Sequence, residues 1–251
     1  DVTVYNGGKS YTIKRHGMGD FWRQRLAVPG LRRFVDGMCG SGAVSAFIGR
    51  ERPDLALVCN DLHPAAVALL REAAAGWTPP RNLTEAEYGE LRIAADRGEA
   101  SALIGFAGFA CSHGGKYFAG YVRPHPSQRD RAGAGANAVT RDAAHLTRAS
   151  FHCLDYHALP ATVGVLPGDL WYFDKPYEGT TGYKGTPNFD HAAFWTWAAE
   201  LSLIVPVLVS EFAAPVGWRS VWSANRKQEL RSGANNEEVR VRTDHVLEYV
   251  G

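Results

Sequence analysis

The feature that most constrains the fold is an apolar run, Leu170–Phe173, that ends in Asp174-Lys175-Pro176-Tyr177. Four consecutive apolar residues are typical of a buried strand. Pro176 cannot continue a hydrogen-bonded ladder, so the strand should end there. Open α/β sheets bind ligands at the carboxyl ends of their strands. There, Asp174 could accept a hydrogen bond from an exocyclic amine and Tyr177 could stack on a flat ring, as needed to hold a flipped-out base. Taken alone, the same residues also fit an ordinary surface turn.

A glycine-rich turn follows the first predicted strand. Residues 34–45 are typical of a strand, a turn and the start of a helix, and Gly40 and Gly42 would let the backbone approach a ligand at the helix N-terminus. Because Ser45 occupies the last position of G-x-G-x-x-G, the dinucleotide fingerprint is not met, and the Walker A pattern is also absent. These differences disfavour nicotinamide and ATP and leave open another cofactor that contains a nucleoside.

Acidic residues follow two further predicted strands. Asp61 closes Leu55–Asn60 about 20 residues after the glycine-rich turn, a position that suits a ribose diol. Asp61 could also cap the helix that begins near Pro64, and the two roles are compatible. Residues 151–156 predict another strand, whose Asp155 could accept from an adenine amine while Tyr156 lies against the ring.

Three segments have a composition that suits nucleic acid. Residues 110–123 alternate aromatics, glycines and basic residues, so they could stack on bases, or they could form a loop packed on the core. Residues 124–137, rich in Pro, Gly and Arg, are predicted to be a mobile loop that orders on a partner. A basic stretch, 226–231, is predicted to be a loop between two edge strands, 218–223 and 238–250.

The length, charge and cysteine content of the chain restrict its domain organisation, partners and cellular setting. The 251 residues suit one large domain or a domain with a sizeable insertion, and a net charge of +1 neither demands nor excludes nucleic acid. The sequence has no apparent signal peptide or membrane span, and no C-x-x-C or H-E-x-x-H, so we expect no metal and no membrane partner. The four widely spaced cysteines are expected to be buried thiols in a reducing, cytoplasmic setting.

Taken together, four motifs resemble the DNA adenine-N6 methyltransferases of the deoxyadenosine methylase family. They are Tyr-Asn-Gly-Gly-Lys (5–9), Val-Asp-Gly-Met-Cys-Gly-Ser-Gly (35–42), Asn-Asp-Leu (60–62) and Asp-Lys-Pro-Tyr (174–177). The bacteriophage branch of that family has close counterparts of four more: Gly-Trp-Thr-Pro-Pro (76–80), Cys-Ser-His-Gly-Gly-Lys-Tyr-Phe-Ala-Gly-Tyr (111–121), Tyr-Glu-Gly-Thr-Thr-Gly-Tyr (177–183) and Ser-Glu-Phe-Ala-Ala-Pro (210–215). The resemblance runs nearly end to end.

The resemblance implies a fold, an activity and a partner. The fold would be α/β, the Rossmann-like fold of S-adenosylmethionine-dependent methyltransferases, with a mainly parallel seven-stranded sheet. Residues 1–79 would form its cofactor-binding part, 80–145 an inserted target-recognition segment and 146–251 its catalytic part. The activity would be transfer of a one-carbon group, methyl by default, to N6 of a flipped-out adenine in double-stranded DNA. The chain would act as a monomer in the cytoplasm of a bacterium or a phage-infected host.

The resemblance also implies roles for individual residues. In the catalytic set, Asp174 and the carbonyl of Lys175 would each accept one hydrogen of the adenine amine, Pro176 would shape the turn and Tyr177 would stack on the base. The cofactor set would comprise Tyr5, Asn6, Gly7, Gly8, Lys9, Asp36, Gly37, Met38, Cys39, Gly40, Gly42, Asp61, Leu62, Asp155, Tyr156 and Asp174. The DNA contacts would be Lys116, Tyr117, Tyr121, Arg123, Arg129, Arg131, Tyr183 and Lys184.

The chain departs from the family pattern at Lys175, where the family has the first proline of Asp-Pro-Pro-Tyr. An ammonium near the sulfonium of the cofactor would be repelled by several kcal/mol at ~4 Å and an effective dielectric near 20. Lys175 could therefore point to a DNA phosphate, be neutral with a depressed pKa, or mark a catalytically silent DNA-binding protein. It could instead pair with the carboxylate of carboxy-S-adenosylmethionine, in which case the product would be N6-carboxymethyladenine. A second departure, Gly37-Met38 where Pro-Phe is common, would make room for a larger transferred group or be neutral.

Overall fold

A seven-stranded sheet with helices on both faces organises the computed structural model of the chain. The structure describes residues 8–123, 130–180, 189–232 and 236–251, and between 226 and 240 it describes the backbone alone. The strands are β1 Arg33–Asp36, β2 Ala56–Asn60, β3 Ala149–His152, β4 Asp169–Phe173, β5 Val207–Glu211, β6 Trp218–Ser232 and β7 Asn236–Tyr249. The helices are α1 Ser10–Arg15, α2 Met18–Leu26, α3 Ala43–Glu51, α4 Pro64–Ala74, α5 Glu85–Asp96, α6 Ala102–Gly105, α7 Arg131–Ala143, α8 Leu159–Val163 and α9 His191–Ser202.

The strand order is β3-β2-β1-β4-β5-β7-β6, with β1 to β5 parallel and β7 antiparallel to both of its neighbours. The order reverses between β1 and β4, and open α/β sheets bind ligands at such a switch point. The predicted α/β fold with a mainly parallel seven-stranded sheet is confirmed.

The core lies on both faces of this sheet because the apolar residues in the middle of the central strands are buried on either side. On one face Phe34 and Tyr172 pack with Trp22 of α2, and on the other Val35 and Phe173 belong to a cluster with residues of α9. Strands buried on both faces are characteristic of parallel sheets.

The segment between α4 and β3 is helical and packs on α4. Its cluster includes Ala65, Leu69 and Ala73, which form one stripe of α4, together with residues of α5, α6 and α7. A short π-helical turn, Phe106–Ala110, continues α6 into the wall of this cluster. None of the helices in the described ranges is long and apolar enough to cross a membrane.

Two segments predicted to be loops are regular structure. Arg131 begins α7, because Asp130 caps the helix by accepting a hydrogen bond from the Gly133 amide, and because Gly135 lets the helix approach Ala110. The prediction of a mobile loop over 124–137 is therefore wrong from residue 131 onward. The basic stretch 226–231 lies within β6, which pairs continuously with β7 apart from a register shift between Ser220 and Trp222.

Two smaller expectations also need correction. β3 ends at His152, so Asp155 and Tyr156 lie in the turn beyond it. Cys39, Cys59 and Cys111 are buried as expected, but Cys153 is exposed because it follows the end of this edge strand.

Candidate active site

A cavity of about 290 Å³ lies where β1, β2 and β4 end. This volume is close to the lower end of the range of roughly 300–1,000 Å³ typical of ligand pockets. Its lining includes Gly8, Lys9, Asp36, Gly37, Met38, Cys39, Gly40, Asp61, Leu62, Asp155, Tyr156, Asp174 and Pro176. Parallel strands bring these residues together although they are up to 168 positions apart in the sequence.

The glycine-rich turn forms one wall of the cavity, and Asp61 holds its shape. Gly40 and Gly42 adopt φ values of 49° and 69°, which favour glycine over any residue with a Cβ. One carboxylate oxygen of Asp61 accepts from the Gly40 amide and the other from the His63 amide, both at 2.8 Å. Burial raises the pKa of Asp61 despite these donors. Each oxygen keeps a further lone pair, so the bonds are compatible with the predicted ribose contact.

Asn60 joins the ends of three strands and was not assigned a role from the sequence. Its fully buried amide donates to the carbonyls of Gly37 and Leu154, both at 2.9 Å, and its oxygen accepts from the Leu154 amide at 3.0 Å. These bonds fix the spacing of the cavity walls. The signal was the Asn-Asp-Leu motif, in which an amide at the end of a buried strand must find buried partners.

Asp36 is a buried carboxylate that faces the cavity. Ser45 donates to one of its oxygens at 2.7 Å, while the other oxygen has no hydrogen-bond partner among the described residues. Burial, reinforced by the negative charges of Asp174 and Asp61, raises the pKa of Asp36 to about 7. A buried acid with an unpartnered oxygen is suited to receive a cationic group of a ligand.

Gly37 has a packing role, contrary to the idea that it makes room for a larger transferred group. A Cβ at this position would overlap the ring of Phe173 on the neighbouring strand. The space that this glycine leaves is thus filled by the core. Met38 is partly buried and lines the cavity.

Lys9, Asp174 and Tyr177 form a polar cluster at the end of β4. The Lys9 ammonium lies 2.8 Å from a carboxylate oxygen of Asp174 and donates to the Tyr177 hydroxyl at 2.7 Å. Burial by itself lowers the pKa of Lys9, but its attraction to Asp174 and Tyr172 outweighs burial and the pKa is raised. Lys9, predicted as a cofactor contact, therefore lies directly against two predicted catalytic residues.

Lys175 faces away from the cavity and is not among its lining residues. Its side chain is fully buried and forms an ion pair with Glu211 of β5, which also accepts from the backbone amides of Glu178 and Phe212. The ammonium lies 3.2 Å from Nδ1 of His191. Burial lowers the pKa of Lys175, against the opposing effect of Glu211. Sequence reasoning missed Glu211, although the Ser-Glu-Phe-Ala-Ala-Pro motif contains it.

The far wall of the cavity is aromatic. Tyr156 packs edge-on against Trp197 with ring centroids 4.8 Å apart, and burial raises its pKa to about 12. Asp155 is more than half exposed and accepts from the His157 amide at 2.9 Å. His63 lines the opposite side, where burial lowers its pKa to about 4, so its imidazole is neutral at pH 7.

The remaining predicted residues fall into two groups, and the cavity also has lining residues that were not predicted. Gly42 lies at the start of α3 but does not line the cavity, because a Cβ there would meet Leu70 and Leu146 of the core. Tyr5, Asn6, Gly7, Arg129, Tyr183 and Lys184 lie outside the described residues. Lining residues that were not predicted are Ser41, Ala43, Val44, His63, Leu154, His157, Tyr172, Phe189 and Asp190. Among the residues that are described, no group of three or more His, Cys, Asp or Glu side chains is placed to hold a metal ion.

The predicted DNA contacts in the helical segment are mostly engaged with the protein. Tyr117 packs against His63 with ring centroids 4.3 Å apart, and the Tyr121 hydroxyl donates to the carbonyl of Leu83. Arg123 forms a bidentate ion pair with Glu85 at 2.6 and 2.8 Å. Lys116 is exposed and Arg131 is partly buried at the first position of α7. A role for these residues on DNA stays a prediction.

Comparison with known proteins gives two different similarities. No family model matches the chain. Alanine racemases from three strains of Cereibacter sphaeroides are 28% identical over 230 residues, which is 83% of this chain and 60% of theirs, so the chain spans about three fifths of the length of these curated relatives. Two structures of the rRNA methyltransferase aviRa from Streptomyces viridochromogenes align with 93% of this chain and 84% of theirs, with 18% and 19% identity and a TM-score of 0.41.

Proposed function

We propose that the chain transfers a methyl group from S-adenosylmethionine to N6 of a flipped-out adenine in DNA. The observation that carries the proposal is a single cavity that joins Asp174, at the end of β4, to the glycine-rich turn, Asp61 and Asp155. The resemblance assigns Asp174 to both the base and the cofactor, and it assigns the other residues to the cofactor alone. One cavity that holds both sets is what direct transfer between two bound molecules requires.

The residues of the cavity fit the cofactor. The unpartnered oxygen of Asp36 would receive its ammonium group, the glycine-rich turn would approach its amino-acid end, and Asp61 and Asp155 would hold the ribose and the adenine. When bound, S-adenosylmethionine supplies an electrophilic methyl carbon.

The target amine would be held by Asp174 and the Lys175 carbonyl. Two acceptors for its two hydrogens leave the lone pair of the nitrogen directed at the cofactor side of the cavity, and the proton released on alkylation passes to Asp174 or to solvent. Lys9 keeps Asp174 oriented through their 2.8 Å ion pair, and Tyr177 supplies a ring beside it.

Methyl is the group that the geometry favours. The ammonium of Lys175 is paired with Glu211 and does not line the cavity, which argues against pairing it with the carboxylate of a carboxylated cofactor. The buried position of this side chain likewise argues against contact between its ammonium and a DNA phosphate. The lysine is thus compatible with catalysis, because the sulfonium would not face its charge.

The test is nucleoside mass spectrometry of duplex DNA incubated with the purified protein and S-adenosylmethionine. We expect N6-methyladenine as the product of the wild-type protein. Asp174→Asn should lower turnover by at least about 100-fold. The control, Asp20→Asn, should leave turnover unchanged, because this side chain is 76% exposed. Calorimetry should show that Asp174→Asn still binds the cofactor, which separates a loss of transfer from a loss of cofactor binding.

Parallel incubations separate the alternatives. Carboxy-S-adenosylmethionine in place of the normal cofactor should give little product, and N6-carboxymethyladenine as the dominant base would contradict the proposal. Binding of DNA and cofactor without any modified base would identify a silent DNA-binding protein. Methylation of ribosomal RNA but not of DNA, or racemisation of L-alanine, would move the chain to the activities named for its similar proteins.

A further inference from the structure

The long hairpin of β6 and β7 continues past the end of the sheet. β5 pairs with β7 only from Leu208↔Glu248 to Glu211↔His245, whereas β6 and β7 stay paired from Ala224↔Asp244 to Ser232↔Asn236. These nine further pairs, residues 224–232 and 236–244, are called the outer ribbon. At about 3.3 Å per residue the outer ribbon is roughly 30 Å long.

The outer ribbon extends from the edge of the sheet that carries the cavity. Glu211 is the last residue of β5 and pairs with His245, so β7 positions before 245 lie beyond the carboxyl edge of the parallel strands. At its base, the guanidinium carbon of Arg242 lies 4.9 Å from the centre of the Phe212 ring. Phe212 in turn packs against Tyr177 with ring centroids 4.5 Å apart. The ribbon therefore begins directly beside the proposed base-binding residues.

A ribbon of this kind is marginal without a partner. Two-stranded hairpins are at best marginally stable in water, and in the described part of the chain no third strand pairs with the outer ribbon. Arg226 and Arg242 occupy paired positions of the two strands, so this register gives one pair of the ribbon two basic residues and no acidic one. An anionic partner would supply both the missing contacts and the opposite charge.

The distribution of charge along the ribbon indicates where that partner lies. The half next to the sheet, positions 225–228 and 240–243, has four basic residues in its sequence, Arg226, Lys227, Arg240 and Arg242, and no acidic one. The acidic residues 229, 237 and 238 lie in the distal half together with the basic residue 231, and one further acidic residue, the buried Asp244, lies in the pair at the base of the ribbon. The positive charge is thus concentrated beside the cavity.

We propose that the outer ribbon binds the DNA duplex that flanks the target adenine, with its basic half at the phosphates and its strands in the major groove. This inference rests on the proposed function. The major groove of B-DNA, about 12 Å wide, admits a two-stranded ribbon, and phosphate neutralisation by Arg and Lys supplies most of the affinity. The deep, narrow major groove of A-form RNA does not admit such an element.

Two variants test the proposal. In the first, an Asn-Gly turn replaces residues 226–242, so that Asn225 and Thr243, whose side chains are hydrogen-bonded at 2.9 Å, become the last pair. The second, Arg226→Gln/Arg240→Gln, keeps the full hairpin and guards against misfolding of the first. Arg219→Gln, at the opposite end of β6, is the control, because this arginine pairs with Glu248 below the cavity.

Duplex affinity is measured by fluorescence anisotropy between 50 and 300 mM salt, and cofactor affinity by calorimetry. We expect the shortened variant to lose at least about 100-fold in duplex affinity. In the double variant, the slope of log affinity against log salt concentration should become shallower by about 2, because each lost phosphate contact contributes ~0.9. Cofactor affinity should be the same in all variants, and Arg219→Gln should bind the duplex as wild type does. Wild type should protect guanine N7 beside the target from dimethyl sulfate, and the shortened variant should not.

Each remaining outcome overturns the inference in a recognisable way. Equal duplex affinity and equal protection for wild type and both variants would overturn it while leaving the proposed function intact, provided that wild type methylates DNA. If wild type neither binds nor methylates duplex DNA, the proposed function itself has failed. A larger loss of affinity for structured RNA than for DNA would show that the ribbon serves a different nucleic acid.

Discussion

Asp36 has a charge state that depends on the fold. In the folded protein burial raises its pKa to about 7, whereas an aspartate in an unfolded chain titrates near 4. Between these two values the folded state holds a proton that the unfolded state has lost. The contribution of Asp36 to the free energy of unfolding should therefore fall as pH rises from about 4 to about 7, by up to about 1.4 kcal/mol per pH unit. Above pH 7 this contribution should no longer change with pH.

Asp36→Asn should remove that pH dependence. The amide keeps an acceptor for Ser45, whose hydroxyl lies 2.7 Å from the carboxylate, and it carries no charge. We expect the variant to match wild type at pH 4 and to be more stable by about 2–4 kcal/mol at pH 8. Urea unfolding at pH 4, 5, 6, 7 and 8 measures the difference, with Asp20→Asn as an exposed control. A difference that does not change with pH would contradict the raised pKa.

At the scale of single residues, the sequence located the lining of the cavity better than it located charge partners. Asp61 and Asp174 could be placed because each follows a recognisable apolar run, and strand ends converge in a parallel sheet, whereas Asp36 was placed only by the resemblance. The partners of Lys9 and Lys175 could not be read in this way. A long side chain can reach in several directions, and its choice depends on which carboxylate the neighbouring strand brings within reach.

At the scale of elements, the Lys175–Glu211 pair ties the turn after β4 to the end of β5. The carboxylate binds the ammonium together with the backbone amides of Glu178 and Phe212, so one side chain orders both segments. A buried charge that keeps only one half of its pair is costly, whereas removal of both charges is often nearly neutral. Lysine at position 175, where the motif that the chain resembles has proline, therefore depends on Glu211 for its buried counter-ion.

A double-mutant cycle should reveal this dependence. Lys175→Met and Glu211→Gln are each expected to destabilise the protein by about 3–5 kcal/mol, and the double variant by clearly less than their sum. Urea unfolding of the four proteins gives the coupling. Costs that simply add would mean that the two side chains do not act as a pair. For the same reason, Lys175→Pro should be assayed together with Glu211→Gln, since proline alone leaves Glu211 without its cation.

Element boundaries were least predictable where the local pattern was ambiguous. The first half of Arg131–Ala143, which contains two glycines, was expected to be part of a loop over 124–137, yet the small residues are what allow this helix to pack against Ala110. The basic stretch within β6 was expected to be a loop because its charges hide the strand alternation, and pairing with β7 decides the outcome. Tertiary contacts overrode local propensity in both segments.

At the scale of the whole molecule, α4 is shared by two cores. Ala65, Leu69 and Ala73 pack with the helical segment, while Leu70 belongs to the cluster under the sheet. The contact with the segment is close, because a Cβ at Gly105 of α6 would overlap the carbonyl oxygen of Ala65 and lie 3.0 Å from Cβ of Leu69. The division into a cofactor part, a recognition segment and a catalytic part is a prediction about function, and we expect all three to unfold together.

Gly105→Ala tests whether the molecule unfolds as one unit. The added methyl must push α6 away from α4, which should cost about 1–3 kcal/mol. Gly89→Ala in α5 is the matched control, because nothing lies within 4 Å of its Cβ, and there alanine should stabilise the helix by about 0.5–1 kcal/mol. Hydrogen exchange in increasing urea, followed by mass spectrometry, should show peptides of α5 and of β2 losing protection at one common midpoint in every variant. A segment that opens at lower urea while β2 stays protected would instead define an independent recognition unit.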